Sequence, residues 1–218
     1  AQRVYEDSIK NLTLNPGSQA EFVKNTHRYS AYIGGIGSGK TLAGIARGLA
    51  MSQQPKAEGT IYGPRGVIAA ESYPVLTDTV LPQFFELVEG TALLQHYHKQ
   101  TRKATMLGGS EILFRSLDRP DTIRGMELSW FFIDEGRDVT KESWDILLGR
   151  LRQKGYTHYG WVCSTPNGYD WMYNLFHDRS DIKMHDAKWY PAPTMENKHL
   201  PPEYVEDLKN NYHGLWYR

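Results

Sequence analysis

Cysteine is nearly missing from this sequence: Cys163 is the one thiol in 218 residues. A single thiol excludes an internal disulfide framework and any Cys-rich zinc site, and it fits a reducing compartment. Long apolar runs are missing too. No stretch of about 18 apolar residues is present, nor an apolar segment near the N-terminus, so neither a membrane span nor a secretory signal is expected. Net charge is absent as well, with Lys plus Arg equal to Asp plus Glu at 25 each. No overall field draws the molecule to nucleic acid or anionic lipid, and any such partner has to be met by a local patch. No repeat, low-complexity block or Gly/Ser-rich linker breaks up residues 20–190.

What is present describes a packed chain: 40% hydrophobic residues, with 14 Tyr and 6 Trp, are enough for a core of ordinary size. The length suits one domain with a small appendage. Residues 1–180 read as that domain, and residues 181–218, crowded with Pro191, Pro193, Pro201 and Pro202, as a C-terminal extension or the start of a linker. The chain ends on Leu215, Trp216, Tyr217 and Arg218. An aromatic end gains nothing from exposure, so the sequence is expected to be one domain cut from a longer protein.

The order of elements is a βαβ rhythm. Tyr29 to Gly34 is a short aromatic and β-branched run that stops at a glycine cluster, as a buried strand does. Leu42, Ile45, Ala46 and Leu49 follow at helical spacing, predicting a helix over residues 40–54. Residues 66–70 form a second strand, and Leu81, Phe84, Phe85 and Val88 mark a second helix. Residues 103–114 depart from the rhythm: two β-prone runs flank Gly108 and Gly109, predicting an inserted antiparallel hairpin. Residues 128–133 are nearly all apolar, as in a strand covered on both faces, and they stop at Asp134 and Glu135. Trp144, Leu147, Leu148 and Leu151 give another helical stripe, and residues 159–163 another buried strand. A last helix is expected from Pro202, with Val205, Leu208 and Tyr212 on one side. Together these predict an α/β fold with a mainly parallel sheet flanked by helices.

Gly34, Gly35, Ile36, Gly37, Ser38, Gly39, Lys40 and Thr41 fit G-x-x-x-x-G-K-[ST], the Walker A phosphate loop, in the strand-to-helix setting that this motif requires. The glycines let backbone N–H groups turn toward phosphate oxygens, and the helix offers them its positive end. Lys40 is expected to reach the β and γ phosphates of ATP, and the Thr41 hydroxyl to ligate Mg²⁺. Asp134 and Glu135 close their strand in the pattern of a Walker B element. Asp134 then serves the Mg²⁺, and Glu135 polarises the attacking water as general base. An adjacent Glu favours hydrolysis over transfer to a metabolite. Ser164, Thr165, Pro166 and Asn167, at the end of the next strand, have the hydroxyls and amide of a γ-phosphate sensor, though this is also ordinary turn composition. Arg119, Arg124 and Arg137 flank the Walker B strand and are candidates for a transition-state arginine. Arg124 is preferred because Gly125 permits close approach to another surface. His96 to Lys103 is locally basic, and reads equally as a phosphate-backbone contact or a solvated edge.

Six segments, taken with their order and spacing, carry a resemblance: the NPGSQAEF run containing Gln19, the GGIGSGKT loop, AESYPVL, FRSLDRPDTIRG ending at Arg124 and Gly125, WFFIDE and CSTPNG. Together they resemble the ATPase domain of the large terminase subunit of tailed bacteriophages. That resemblance implies an ASCE-type P-loop ATPase working as a homo-oligomeric ring at the portal protein of a procapsid, with a small terminase subunit as partner. It implies ATP hydrolysis with Mg²⁺ coupled to translocation of double-stranded DNA, in the host cytoplasm and away from any membrane. Gln19 falls in the family's adenine-reading motif, and residues 164–167 in its coupling motif. Some terminases carry an arginine inside the phosphate loop; Gly35, Ile36, Gly37 and Ser38 supply none here. A trans arginine from a neighbouring subunit is the natural substitute, and the resemblance favours Arg124. The family's RNase H-like nuclease domain is expected to begin where this sequence stops, so cutting activity is not expected of these residues. A helicase-like nucleic-acid-dependent ATPase unconnected with packaging is the other reading.

Overall fold

The computed structural model describes residues 12–178 and 186–211. The proposed boundary at 180, Tyr212 and the aromatic C-terminal residues lie outside them. Eight strands form one sheet: β1 (Tyr29–Gly34), β2 (Arg65–Ala70), β3 (Leu94–His98), β4 (Lys103–Met106), β5 (Glu111–Ser116), β6 (Trp130–Ile133), β7 (Tyr159–Ser164) and β8 (Ala187–Ala192). Their spatial order is β3-β4-β5-β2-β6-β7-β1-β8. From β5 to β8 every pairing is parallel, while β3 and β4 are antiparallel. The α-helices of seven residues or more among the described residues are α1 (Ser18–Lys24), α2 (Lys40–Ser52), α3 (Leu81–Val88), α4 (Lys141–Leu148) and α5 (Pro202–Asn211).

The inserted hairpin is present, β4 turning into β5 through Leu107–Gly109, where Gly108 and Gly109 take φ of 82° and 79°. Its partner β3 has no sequence forecast, because LQHYH alternates too weakly to stand out and only Leu94 and Tyr97 are half-buried. The segment assigned to a C-terminal extension contributes β8, paired in register with β1 from Tyr29 opposite Ala187 to Gly34 opposite Ala192.

Each central strand is buried on both faces, so period-two alternation sorts its side chains between two cores. Trp130 and Phe132 of β6 join Tyr32, Ile68 and Trp161 beneath α1, α2 and α3. Phe131 and Ile133 join Ile33, Val67 and Val162 against Trp144 and Leu147 of α4. Helix α2 lies so close to the sheet that a Cβ on Gly44 would stand 2.1 Å from the Phe132 ring. Arg47, also on α2, is fully buried. Its Nη1 and Nη2 donate to the carbonyls of Phe22 (2.8 Å) and His27 (3.0 Å), and its guanidinium lies 5.1 Å over the Trp161 ring. Burial lowers its pKa to about 10, still charged, so it works as an internal brace between α1 and α2.

Because β1, β2, β5, β6, β7 and β8 run the same way, the segments that follow them gather at one edge of the sheet. That edge is where open α/β sheets place their ligands.

Candidate nucleotide and phosphate site

The phosphate loop leaves β1 at Gly34 and enters α2 at Lys40. Gly37 and Gly39 both take φ of 76°, a conformation that L side chains resist. The loop's carbonyls are tied down from within the loop and from outside it. Gly35 O accepts from Ser38 Oγ (2.8 Å) and Lys40 Nζ (2.9 Å), and Ile36 O accepts from Thr194 Oγ1 (2.9 Å). Gly37 O accepts from Asn197 Nδ2 (2.6 Å), and Gly39 O from Gln19 Nε2 (3.0 Å). With these carbonyls engaged, the loop conformation is held by the protein's own contacts.

Thr41, at the start of α2, donates to the Asp134 carboxylate, its Oγ1 lying 3.1 and 3.0 Å from the two oxygens. Asp134 is fully buried at the end of β6, and burial, with the Glu135 charge beside it, pushes its pKa up to about 7 against the Thr41 hydrogen bond. A buried carboxylate whose side-chain partner is one hydroxyl, at the mouth of a phosphate loop, suits a hard divalent cation with oxygen ligands. Burial likewise lowers the Lys40 pKa, against the opposing pull of Glu135, Cys163 and Asp134.

Glu135 adopts φ 47°, ψ 58°, a left-handed conformation uncommon for a residue with a side chain. The chain thereby turns sharply out of β6, and Glu135 faces the loop across a cavity of about 340 Å³. Ile36, Gly37, Gly39, Lys40, Thr41, Gln83, Glu135, Thr165 and Asn197 line it. Thr165 touches Glu135: its backbone N–H and its hydroxyl each lie 3.4 Å from Oε2.

The remaining forecast residues are distributed differently. Ser164 accepts from the Arg137 backbone N–H (2.9 Å) and donates to its neighbour's carbonyl (3.0 Å), so it stitches β7 to the turn after Glu135. Asn167 lines a separate cavity of about 410 Å³ with Tyr169, Tyr173, His177 and Trp189. Gln19 is buried, its Oε1 accepting twice from Asn15 and its Nε2 donating to Gly39 O. Gly34, whose missing Cβ would fall 1.9 Å from Ala192 O, serves the contact between β1 and β8. Arg119 and Arg124 are exposed and line neither cavity. Arg137 lies near enough to oppose the Lys40 charge, and its Nε stands 3.6 Å from Asp138 Oδ1.

Three contributors escaped the sequence. Gln83, on the helix above the cavity, has no motif around it. Thr194 and Asn197 lie more than 150 positions from the loop they hold, in a proline-rich stretch whose composition signals only irregular backbone.

In this sheet β7 lies between the strand of the phosphate loop and the strand of the Walker B pair, with the Glu next to the Asp. That arrangement defines a P-loop NTPase of the ASCE class. The family model for the phage terminase large subunit matches residues 26–215, and the chain belongs to that family. The fold is similar to the large terminase of the thermophilic bacteriophage D6E, with a TM-score of 0.75 and 16% identity over 94% of this chain and 52% of that one. It is also similar to the ATPase domain of the Thermus phage P74-26 large terminase (TM-score 0.63, 18% identity, 93% of this chain and 90% of that one). The HK97 bacteriophage large terminase gives a TM-score of 0.64 at 14% identity, over 95% of this chain and 45% of that one. The chain therefore spans about half the length of the D6E and HK97 proteins. No curated protein matches the sequence.

Proposed function

We propose that this chain is the ATP-hydrolysing motor domain of a DNA-packaging terminase. One observation carries the reading: Lys40, Thr41 and Glu135 line a single cavity at the sheet edge, and the Thr41 hydroxyl donates to the buried Asp134 carboxylate. The phosphates of ATP are held by the loop N–H groups and Lys40, and Mg²⁺ by Thr41 and Asp134. When bound, Mg²⁺ neutralises charge that builds on the phosphate oxygens. Glu135 orients a water for in-line attack and takes its proton, and Thr165 is placed to sense that carboxylate. Likeness to terminases solved with ATP-gamma-S and with ADP supports the choice of nucleotide.

The same reading extends to the assembly. Subunits form a ring at the portal protein with the small terminase subunit, in the host cytoplasm, and drive double-stranded DNA into a procapsid. Arg124, on an exposed loop, completes the site of the neighbouring subunit. Steady-state ATP hydrolysis with and without double-stranded DNA tests this. Stimulation by duplex DNA that vanishes in Lys40→Ala is expected. Hydrolysis insensitive to DNA and to Lys40→Ala overturns the reading, and unwinding of a forked duplex would place the chain with helicases instead.

A further inference from the structure

Three side-chain amides form an unbroken chain around the phosphate loop. Asn15 sits in the middle. Its backbone N–H and its Nδ2 both donate to Gln19 Oε1, at 2.7 and 3.2 Å. The other Nδ2 hydrogen serves Asn197 Oδ1 at 3.1 Å. Asn197 Oδ1 also accepts from the His199 backbone N–H (3.0 Å), and Asn15 Oδ1 from that of Lys198 (2.9 Å). Each amide oxygen is thus occupied by donors, which fixes all three amide orientations, since turning any one of them would set donor against donor. The NH₂ groups of the two outer amides are left pointing the same way, at the loop: Gln19 Nε2 to Gly39 O and Asn197 Nδ2 to Gly37 O. Those two acceptors belong to the two loop glycines with φ of 76°. Gln19 stands so near Gly39 that a Cβ there would fall 2.5 Å from Nε2.

We infer that Gln19, Asn15 and Asn197 act as one clamp that holds the phosphate loop in its anion-binding shape, and that Gln19 contributes to nucleotide affinity through the loop. The hydrogen-bond count supports this. Gln19 is buried, its oxygen has two donors, and one of its two amide hydrogens is committed to the loop. A loop pulled outward by its carbonyls keeps its N–H groups turned inward, and an unclamped one has to be ordered by the ligand at a cost in affinity. The clamp also joins the segment after β8 to the segment before α1. Ser18, whose N–H and hydroxyl both donate to the Glu196 carboxylate, reinforces that join.

The inference rests on the nucleotide reading above, and its test separates the two. Affinity is measured by calorimetry, with Mg²⁺, for ATP and for inorganic tripolyphosphate, which has the phosphates but neither ribose nor base. The proteins compared are the wild type, Gln19→Ala, Asn197→Ala and the double variant. The clamp predicts that each single variant loses about tenfold for both ligands alike, the scale of one or two hydrogen bonds. It also predicts that the double variant loses less than the product of the two, and that in steady state the change falls on KM more than on kcat. A Gln19→Ala loss confined to ATP overturns the clamp in favour of base reading. Unchanged affinity in Asn197→Ala, which is half-exposed and not needed for the core, overturns it as well. A wild type that binds neither ligand defeats the nucleotide reading itself.

Discussion

Thr165 holds the carboxylate of Glu135 by two groups at once, its backbone N–H and its hydroxyl, each 3.4 Å from Oε2. Both residues sit at strand ends, β7 and β6, that are neighbours in the sheet. A shift of either strand end therefore moves the Glu135 carboxylate, the proposed general base, relative to the phosphate loop. Thr165→Val keeps the shape and the backbone donor but removes the hydroxyl. It is expected to lower kcat for ATP about tenfold with KM nearly unchanged, the scale of one misoriented acid-base group. Thr165→Ser, which retains the hydroxyl, is expected to stay within about threefold of wild type by the same reasoning. Steady-state phosphate release measures both.

The proposed trans role of Arg124 is testable by concentration. Arg124 is exposed on the loop between β5 and β6 and does not line the cavity of its own subunit. If it acts in trans, specific activity rises with protein concentration, and Arg124→Ala flattens that rise while leaving ATP binding intact. If Arg124→Ala retains the concentration dependence, the role passes to Arg119 or Arg137.

Packing between α2 and the sheet allows no side chain at Gly44. Its Cβ would lie 2.1 Å from the Phe132 ring, and that ring is fully buried. Gly44→Ala is expected to lower unfolding free energy by about 2–3 kcal/mol, because neither helix nor ring can retreat without opening the core. Denaturant titration gives the value, with a lower midpoint at constant slope as the expected signature.

Acid sensitivity has an identifiable source at the β2–β5 junction. Burial alone would raise the pKa of Glu111, but hydrogen bonds from Lys103 (2.6 Å) and Arg65 (2.7 Å) override it and hold the carboxyl below its ordinary value. A pKa lowered by folding means stability that is present above the unfolded carboxylate pKa of about 4.3 and is lost as pH falls through the folded one. Glu111→Gln is therefore expected to cost about 2 kcal/mol at neutral pH. It should also flatten the part of the stability profile below about pH 4. Chemical denaturation at a series of pH values separates this from a uniform offset.

Local chemistry made most of the candidate site legible. The phosphate loop announces itself because it needs glycines, a lysine and a hydroxyl within eight consecutive positions. Asp134 and Glu135 were readable because an apolar strand had to end on them. Thr165 followed from its place after the next buried strand. What escaped depends on contacts between distant parts of the chain. Asn197 and Thr194 meet the loop only because β8 pairs with β1, and nothing local in KWYPAPTMEN declares that pairing. The resemblance drew attention to Gln19 as part of an adenine-reading motif, but its hydrogen bonds to Asn15 and to Gly39 O emerge only from the folded arrangement. β3 went unseen because an edge strand facing solvent has weak alternation to show.

Glu135 is proposed to activate water at a site whose nucleotide-binding parts are independent of it. The most direct measurement is ATP binding and ATP turnover by Glu135→Gln, side by side with wild type. With Glu135 as general base, binding stays within a few fold of wild type and turnover falls by about two orders of magnitude or more. Hydrolysis retained near the wild-type rate would contradict it.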